Sequence, residues 1–567
     1  MKTETSETKT IARSAGSVST AVFASRILGL IREQIFAIFF GAGFAYDAFV
    51  VAYRIPNLLR ELFAEGALSS AFVTVFTDCK IKRGTEATQK LANNVITTII
   101  IIVGIICAAG MYFSSDIVSY ITTADYSKIT GKLELTTLMT SIMFPFLLLV
   151  SLSAVAMGIL NTFGKFFLPA LSSSFFNLGS IVSGVILSLI APKYGFNPIV
   201  GMACGVLFGG MLQIIIQLPS LIKQGFIYRP RLNFSDPDLR RIMKLMVPAI
   251  IGLAPLQITV LINTFFASGC EQGSLSWLTY AYRVLWFPIG IVGVSLSVAT
   301  LPVVSRHASN ADMGKLKEAY VSSTVLCIIL AVPATLGLIF LSGPIIRVIF
   351  EYGNFTAADT SRTAIALSLY AIGLLAFSAQ KIIVPVFYAL NKARYPVIGS
   401  LITIFLNIIV VITTLDSLQF KAIALSVSIC ISANFIFLSF MLYKNTGGYD
   451  AGRIIKCFVK VFPVSVIMGA AAWWIDKNIN NLMGEMLFSN HLDFGKDIQG
   501  KLIKYITESP IIAMIFNGPD AIKTVRKIVG GTAPKDAVVG SIRGDFAHVS
   551  FEAADSQKKS VENLIIL

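Results

Sequence analysis

The chain has 567 residues, of which 55% are hydrophobic and only 14% charged, with a mean hydropathy of +0.76. Ordinary soluble proteins are roughly 25% charged, so a soluble globule is excluded. Seven cysteines scattered singly exclude a disulfide scaffold, and an excess of 46 basic over 31 acidic residues, inside a bilayer protein, points to cytoplasmic loops or an anionic substrate rather than to nucleic acid.

A bilayer crossing needs about 20 apolar residues. Thirteen such stretches follow in chain order, at 14–40, 45–76, 90–113, 136–160, 167–191, 198–222, 243–268, 276–304, 319–343, 362–390, 396–415, 420–443 and 457–475. They are spans 1 to 13. No signal peptide is expected, because the polar start runs into a stretch too long for an h-region. Alternate loops differ in lysine and arginine: one set holds 22, from Lys2 and Lys9 to Arg453 and Lys456, and the other only Lys128, Lys132, Lys193, Arg347, Arg362 and Lys421. The bias predicts a cytoplasmic amino terminus.

The chain also repeats. At a shift of 229, Val51-Ala52-Tyr53-Arg54 falls on Tyr280-Ala281-Tyr282-Arg283, and at 228, Ala67-Leu68-Ser69-Ser70-Ala71 falls on Ser295-Leu296-Ser297-Val298-Ala299. A six-span shift keeps membrane orientation, as in parallel-repeat transporters. The expected architecture is an all-α polytopic protein of two six-helix lobes: a cytoplasmic tail at 1–13, an N-lobe at 14–224 and a C-lobe at 225–444. Span 13 lies within 445–478, and an unlike segment fills 479–567. From Asp476 onward 22 of 92 residues are charged, against 55 of the first 475.

Charges at bilayer depth cost about 2.5–3.5 kcal/mol each on insertion scales, so they face a wet cavity, a partner or a ligand. Here they are Arg26 and Arg32 in span 1, Arg54, Arg60, Glu61 and Glu65 in span 2 with Asp47 at its start, Arg283 in span 8 and Lys381 in span 10. Arg60 with Glu65 and Arg32 with Glu33 can neutralise each other. Arg26, Arg54, Arg283 and Lys381 have no acid within one helical turn, which leaves net positive charge. Guanidinium forks suit phosphate oxygens, so a phosphorylated or otherwise anionic substrate is implied.

Three motif groups, Ser25-Arg26-Ile27-Leu28-Gly29-Leu30-Ile31-Arg32-Glu33, Gly41-Ala42-Gly43 with Asp47-Ala48-Phe49, and Arg54-Ile55-Pro56-Asn57-Leu58-Leu59-Arg60-Glu61-Leu62-Phe63-Ala64-Glu65-Gly66-Ala67, resemble the MurJ (MviN) family of lipid II flippases. The likeness continues at Ser276-Trp277, Tyr280, Arg283, Pro288 and Tyr352-Gly353-Asn354-Phe355-Thr356, and covers about residues 12–475. It implies lobes of the multidrug, oligosaccharidyl-lipid and polysaccharide exporter type. It also implies alternating access that carries lipid II, the undecaprenyl-diphosphate-linked disaccharide-peptide of cell-wall biogenesis, across the bacterial inner membrane. Matched by motif, Ser25, Arg26, Arg32, Arg60 and Arg283 bind substrate, while Glu33, Asp47 and Glu65 pair with the arginines in the empty chamber or at closing gates. No cofactor and no nucleic acid are implied. The expected partners are lipid II, bilayer lipid and proteins of cell-wall synthesis; the expected coupling is to membrane potential or a monovalent cation. Some members hold sodium between spans 7, 11 and 12, where this chain offers only Asn263 and Asn407. An exporter of the same fold for another polyprenyl-linked or anionic substrate is the alternative.

Beyond residue 500, Gly518-Pro519-Asp520-Ala521, Val525-Arg526-Lys527 and Gly540-Ser541-Ile542-Arg543-Gly544-Asp545-Phe546 resemble the second half of nucleoside diphosphate kinase. The likeness implies a small partial α/β, ferredoxin-like fragment with nucleotide contacts at Arg526, Thr532, Arg543 and Asn563. Its catalytic histidine should follow Asn563-Leu564-Ile565, where this chain has Ile566 and Leu567. Phosphoryl transfer needs that imidazole. A membrane-tethered kinase is therefore the weaker reading, and the chain is read as a transporter, not an enzyme.

Overall fold

A computed structural model describes the backbone of residues 2–488 and the side chains of residues 20–478, Glu65 excepted. The kinase-like segment, with Arg526, Thr532, Arg543, His548, Asn563 and Ile566, lies outside the described residues. Among the described residues regular structure is helical throughout, with no strand.

Each predicted span falls on a helix. Span 1 is Lys2–Phe40; spans 2 and 3 form one run, Phe44–Tyr112, parted at Gly84, whose φ of 76° leaves the helical region. Among the described residues ten helices are long and apolar enough to cross a bilayer, or eleven when Ala357–Ala371 and Leu374–Ala389, bent by 42°, count as one span. That bent pair is span 10. Local chemistry sets several starts. Asp236 caps span 7, Pro237–Ser268, by accepting from the Asp238 amide. Asp312 caps span 9, Met313–Phe340, and Thr356 with Asp359 forms a capping box on span 10.

The helix pairings repeat six spans apart. Span 2 lies on span 4, span 3 on span 4 and span 5 on span 6; span 8 lies on span 10, span 9 on span 10 and span 11 on span 12. Span 7 packs against spans 2 and 3 as well as span 11. The repeat's one-residue gap has a structural reason. Span 2 passes through a π-helical stretch at Arg60–Leu68, and span 8 through a shorter one at Ile289–Val294. A π-turn takes up an extra residue without ending the helix, and the shift drops from 229 to 228 between Arg54 and Ala67, where the longer of the two lies.

Candidate functional site: a cationic cavity beneath an inter-lobe closure

Spans 1, 2 and 8 meet around a cavity of about 80 Å³, room for several waters at about 10–15 Å³ each. Tyr46, Tyr53 and Asn57 recur at helical spacing and share one face of span 2, and three helices supply most of the polar lining. Span 1 gives Arg32 and Glu33; span 2 gives Tyr46, Tyr53, Arg54 and Asn57; span 8 gives Thr279 and Arg283, one turn apart. Three guanidinium groups and one carboxylate leave two positive charges.

Glu33 is the hub. Its Oε1 meets Arg32 Nη2 at 3.0 Å and Arg283 Nε at 3.3 Å, and its Oε2 accepts from the Tyr46 hydroxyl at 2.6 Å. The expected Arg32–Glu33 pair is present, and the same carboxylate also reaches across to the second lobe. Arg283, which has no acid on its own helix, is therefore paired in this state. The Nε atoms of Arg32 and Arg54 are buried without a hydrogen-bond partner. A buried donor without a partner is costly, and an acceptor that reached it would relieve that cost. In the sequence Arg54 stands out by its intramembrane charge, by its place in the repeat and by opening the third motif, but it is not among the positions that the resemblance assigns to substrate.

The remaining predicted residues distribute as follows. Arg60 donates to Asn57 Oδ1 at 3.0 Å and pairs with Glu61 at 3.4 Å; Glu61 also accepts from Gln257 of span 7. Arg60 thus sits one turn from the cavity lining. The Glu65 side chain lies outside the described residues. Ser25 takes Asn177 of span 5 on its carbonyl and hydroxyl oxygens, at 3.1 and 3.4 Å, which places it on a helix-packing seam. Arg26 is exposed, and its guanidinium lies against Gly290 in the π-helical stretch of span 8.

Asp47 corrects an expectation. Its partner is not an arginine: Oδ2 meets Lys132 Nζ at 3.2 Å and the Gly273 amide at 2.8 Å, and Oδ1 accepts from the Ser276 amide and hydroxyl at 3.0 and 2.6 Å. The reason is position. Asp47 stands in the first turn of span 2, beside the start of Ser274–Pro288, whose first amides have no partner within the helix and attract negative charge. A carboxylate from one lobe thereby caps a helix of the other. Lys132, scored in the sequence as a loop cation, is 2% exposed and opens the helix of span 4.

A second clasp lies beside it. Span 1 ends with carbonyls that lack helical partners. The Asn354 amide donates to Ile38 O at 2.9 Å, its side chain to Phe39 O at 2.6 Å, and Gln34 to Ile349 O at 2.9 Å. Tyr280 donates to Gly41 O at 3.0 Å and stacks on Tyr46 at 4.7 Å. Gly41 and Gly353 both have φ of +61°, and a Cβ on either would run into the opposing backbone. Gly353→Ala should therefore loosen this end. Electron–electron distances between spin labels at Phe39 and Tyr352 should broaden to longer values; an unchanged distribution would show that the clasp tolerates a side chain. All these links join the lobes at the end opposite the amino terminus, so the molecule is closed there.

In spans 7 and 11 the buried amide oxygens of Asn263 and Asn407 each lack a hydrogen-bond partner. No group of three or more His, Cys, Asp or Glu that could hold a metal ion occurs among the described residues.

Comparison with known proteins agrees with this geometry. The probable lipid II flippase MurJ of Buchnera aphidicola subsp. Acyrthosiphon pisum is 36% identical over 492 residues, covering 85% of this chain and 94% of that protein. A solved structure described as "Lipid II flippase MurJ, inward closed conformation" matches with a TM-score of 0.67 at 28% identity, over 83% of this chain and 99% of that one. An inward-facing MATE transporter of the MOP superfamily matches with a TM-score of 0.61 at 14% identity, over 75% and 95%, which shows the exporter fold. The family model for nucleoside diphosphate kinase matches residues 483–563. The model described as "Lipid II flippase MurJ" matches residues 36–491, and on this match and these relatives the chain belongs to the MurJ family of multi-pass membrane transporters.

Proposed function

We propose that this chain flips lipid II from the cytoplasmic to the periplasmic leaflet of a bacterial inner membrane by alternating access. The observation that carries the reading is the convergence of Arg32, Arg54 and Arg283, drawn from both lobes, on one cavity with excess positive charge. The amino terminus is cytoplasmic by the lysine and arginine bias, so the closed end is periplasmic and the cavity is offered to the inner leaflet.

Each step follows from the contacts. In the empty state Glu33 occupies Arg32 and Arg283, so neither guanidinium is left without a counter-charge. An entering diphosphate supplies stronger, bidentate acceptors to the same guanidiniums and to the free Nε of Arg54, so it displaces Glu33. Arg283 then ties the lobes through substrate rather than through the protein. Opening requires the Asp47 and Asn354 clasps to part, and Asp47 keeps Lys132 as partner when it leaves span 8. An inside-negative membrane potential acts on every charge moved, at about 2.3 kcal/mol per charge per 100 mV. It favours outward passage of the anion and draws the empty, net positive chamber back inward.

The test is proteoliposome translocation of lipid II. The intact chain should flip the lipid, and Arg54→Ala should lower the rate roughly tenfold or more, the value of a charge-assisted hydrogen bond. Equal rates would overturn the role of the cavity. Removing residues 476–567 should not lower activity further, since the kinase-like segment lacks its histidine nucleophile; a loss on truncation would show that it takes part.

A further inference from the structure

Two side chains beside the arginine cavity remain unused: Lys381 of span 10 and Trp286 of span 8. Lys381 sits inside Leu374–Ala389, eight residues from its end, or about 12 Å at 1.5 Å per residue. It is exposed, and among the described residues its ammonium makes no ion pair and no hydrogen bond. Its ammonium lies 5.6 Å from the centroid of the Trp286 ring. Trp286 is one turn beyond Arg283 on the same helix. Tyr282 meets Trp286 at 5.9 Å, ring edge to face, and meets Tyr370 at 5.4 Å. An aromatic wall therefore leads from the diphosphate cavity to an unpaired ammonium at the depth of the bilayer. A lone cation there is costly unless something anionic visits it, and the ring contact offsets only part of that cost.

Resting on the flippase reading, we infer that Trp286 and Lys381 form a second subsite that receives the sugar-peptide headgroup: the ring packs on a sugar face and the ammonium pairs with a peptide carboxylate. The chemistry selects this occupant. Aromatic faces are apolar platforms with a polar rim, suited to the C–H face of a pyranose. The nearest chemistry attached to a diphosphate held at Arg283 is its first sugar, and the carboxylates of the precursor are on the peptide that this sugar carries. The same subsite has no use for a bare polyprenyl diphosphate.

The experiment measures binding to the purified full chain, by native mass spectrometry, of three lipids: undecaprenyl diphosphate, lipid II, and lipid II with its peptide carboxylates amidated. Lys381→Gln should weaken lipid II binding about tenfold and leave the amidated lipid and the bare diphosphate unchanged, the difference expected for one charge-assisted contact. Trp286→Leu should weaken both headgroup-bearing lipids and spare the bare diphosphate. Lys381→Arg, which keeps the charge, should bind lipid II like the unaltered chain and guards against misfolding as an explanation. Equal weakening of all three lipids by Lys381→Gln, or none, overturns the subsite while leaving the diphosphate site standing. An unaltered chain that binds none of the three overturns the flippase reading and the subsite with it.

Discussion

Arg283→Ala is expected to abolish lipid II translocation while leaving the protein folded. The side chain is half-exposed to the cavity, and Glu33, its one ion-pair partner among the described residues, keeps Arg32 and the Tyr46 hydroxyl when it goes. Little of the fold depends on it. Transport does, because Arg283 is the guanidinium that the second lobe contributes to the cavity lining. Losing a charge-assisted, bidentate contact costs about 2–3 kcal/mol, roughly 30- to 150-fold in affinity. Arg283→Lys restores charge but not the fork and should recover only part of the rate. The paired measurement is translocation in proteoliposomes beside thermal melting. A folded Arg283→Ala protein that transports normally would remove the cavity from the mechanism.

The second large effect is expected at Asp47. Asp47→Asn leaves Lys132 buried with an uncompensated charge and weakens the cap on span 8. Removing one partner from a buried pair costs about 3–5 kcal/mol. Part of that loss falls on the closed state alone, since only there does Asp47 also hold Gly273 and Ser276. A differential of about 3 kcal/mol shifts a two-state equilibrium more than a hundredfold. Distances between labels on spans 2 and 8 should therefore lengthen, and transport should fail because the closed state is too rarely occupied. The double variant Asp47→Asn with Lys132→Met separates the two contributions. Removing the stranded ammonium should restore thermal stability without restoring closure. If the double variant also closes normally, the inter-lobe cap is not what holds this end.

The sequence made the helices legible, each of the thirteen expected stretches falling on one, because a bilayer leaves little freedom: apolar length and flanking charge decide where a helix crosses. Its intramembrane charges also pointed to the cavity, since Arg32, Arg54 and Arg283 are expensive wherever nothing receives them. Partner choice was not legible. Glu33 serves two arginines from different lobes, and Asp47 pairs with a lysine 85 residues away and with amides of another helix; neither follows from spacing along one helix. Lys132 passed for a loop charge because it stands at a helix start. The one-residue change in the repeat's shift, from 229 to 228, falls where span 2 is π-helical, a backbone feature without a composition signal. Gly353 and Asn354 belonged to a motif that could be quoted before it could be explained, because their contacts are backbone atoms of span 1.

Competition by a soluble diphosphate measures whether the cavity arginines bind that group. Purified full chain carrying labelled lipid II should release it to geranyl diphosphate but not to geraniol, and Arg32→Ala, Arg54→Ala and Arg283→Ala should each weaken the response to the diphosphate. Equal displacement by the alcohol, or competition untouched by all three substitutions, would contradict the account.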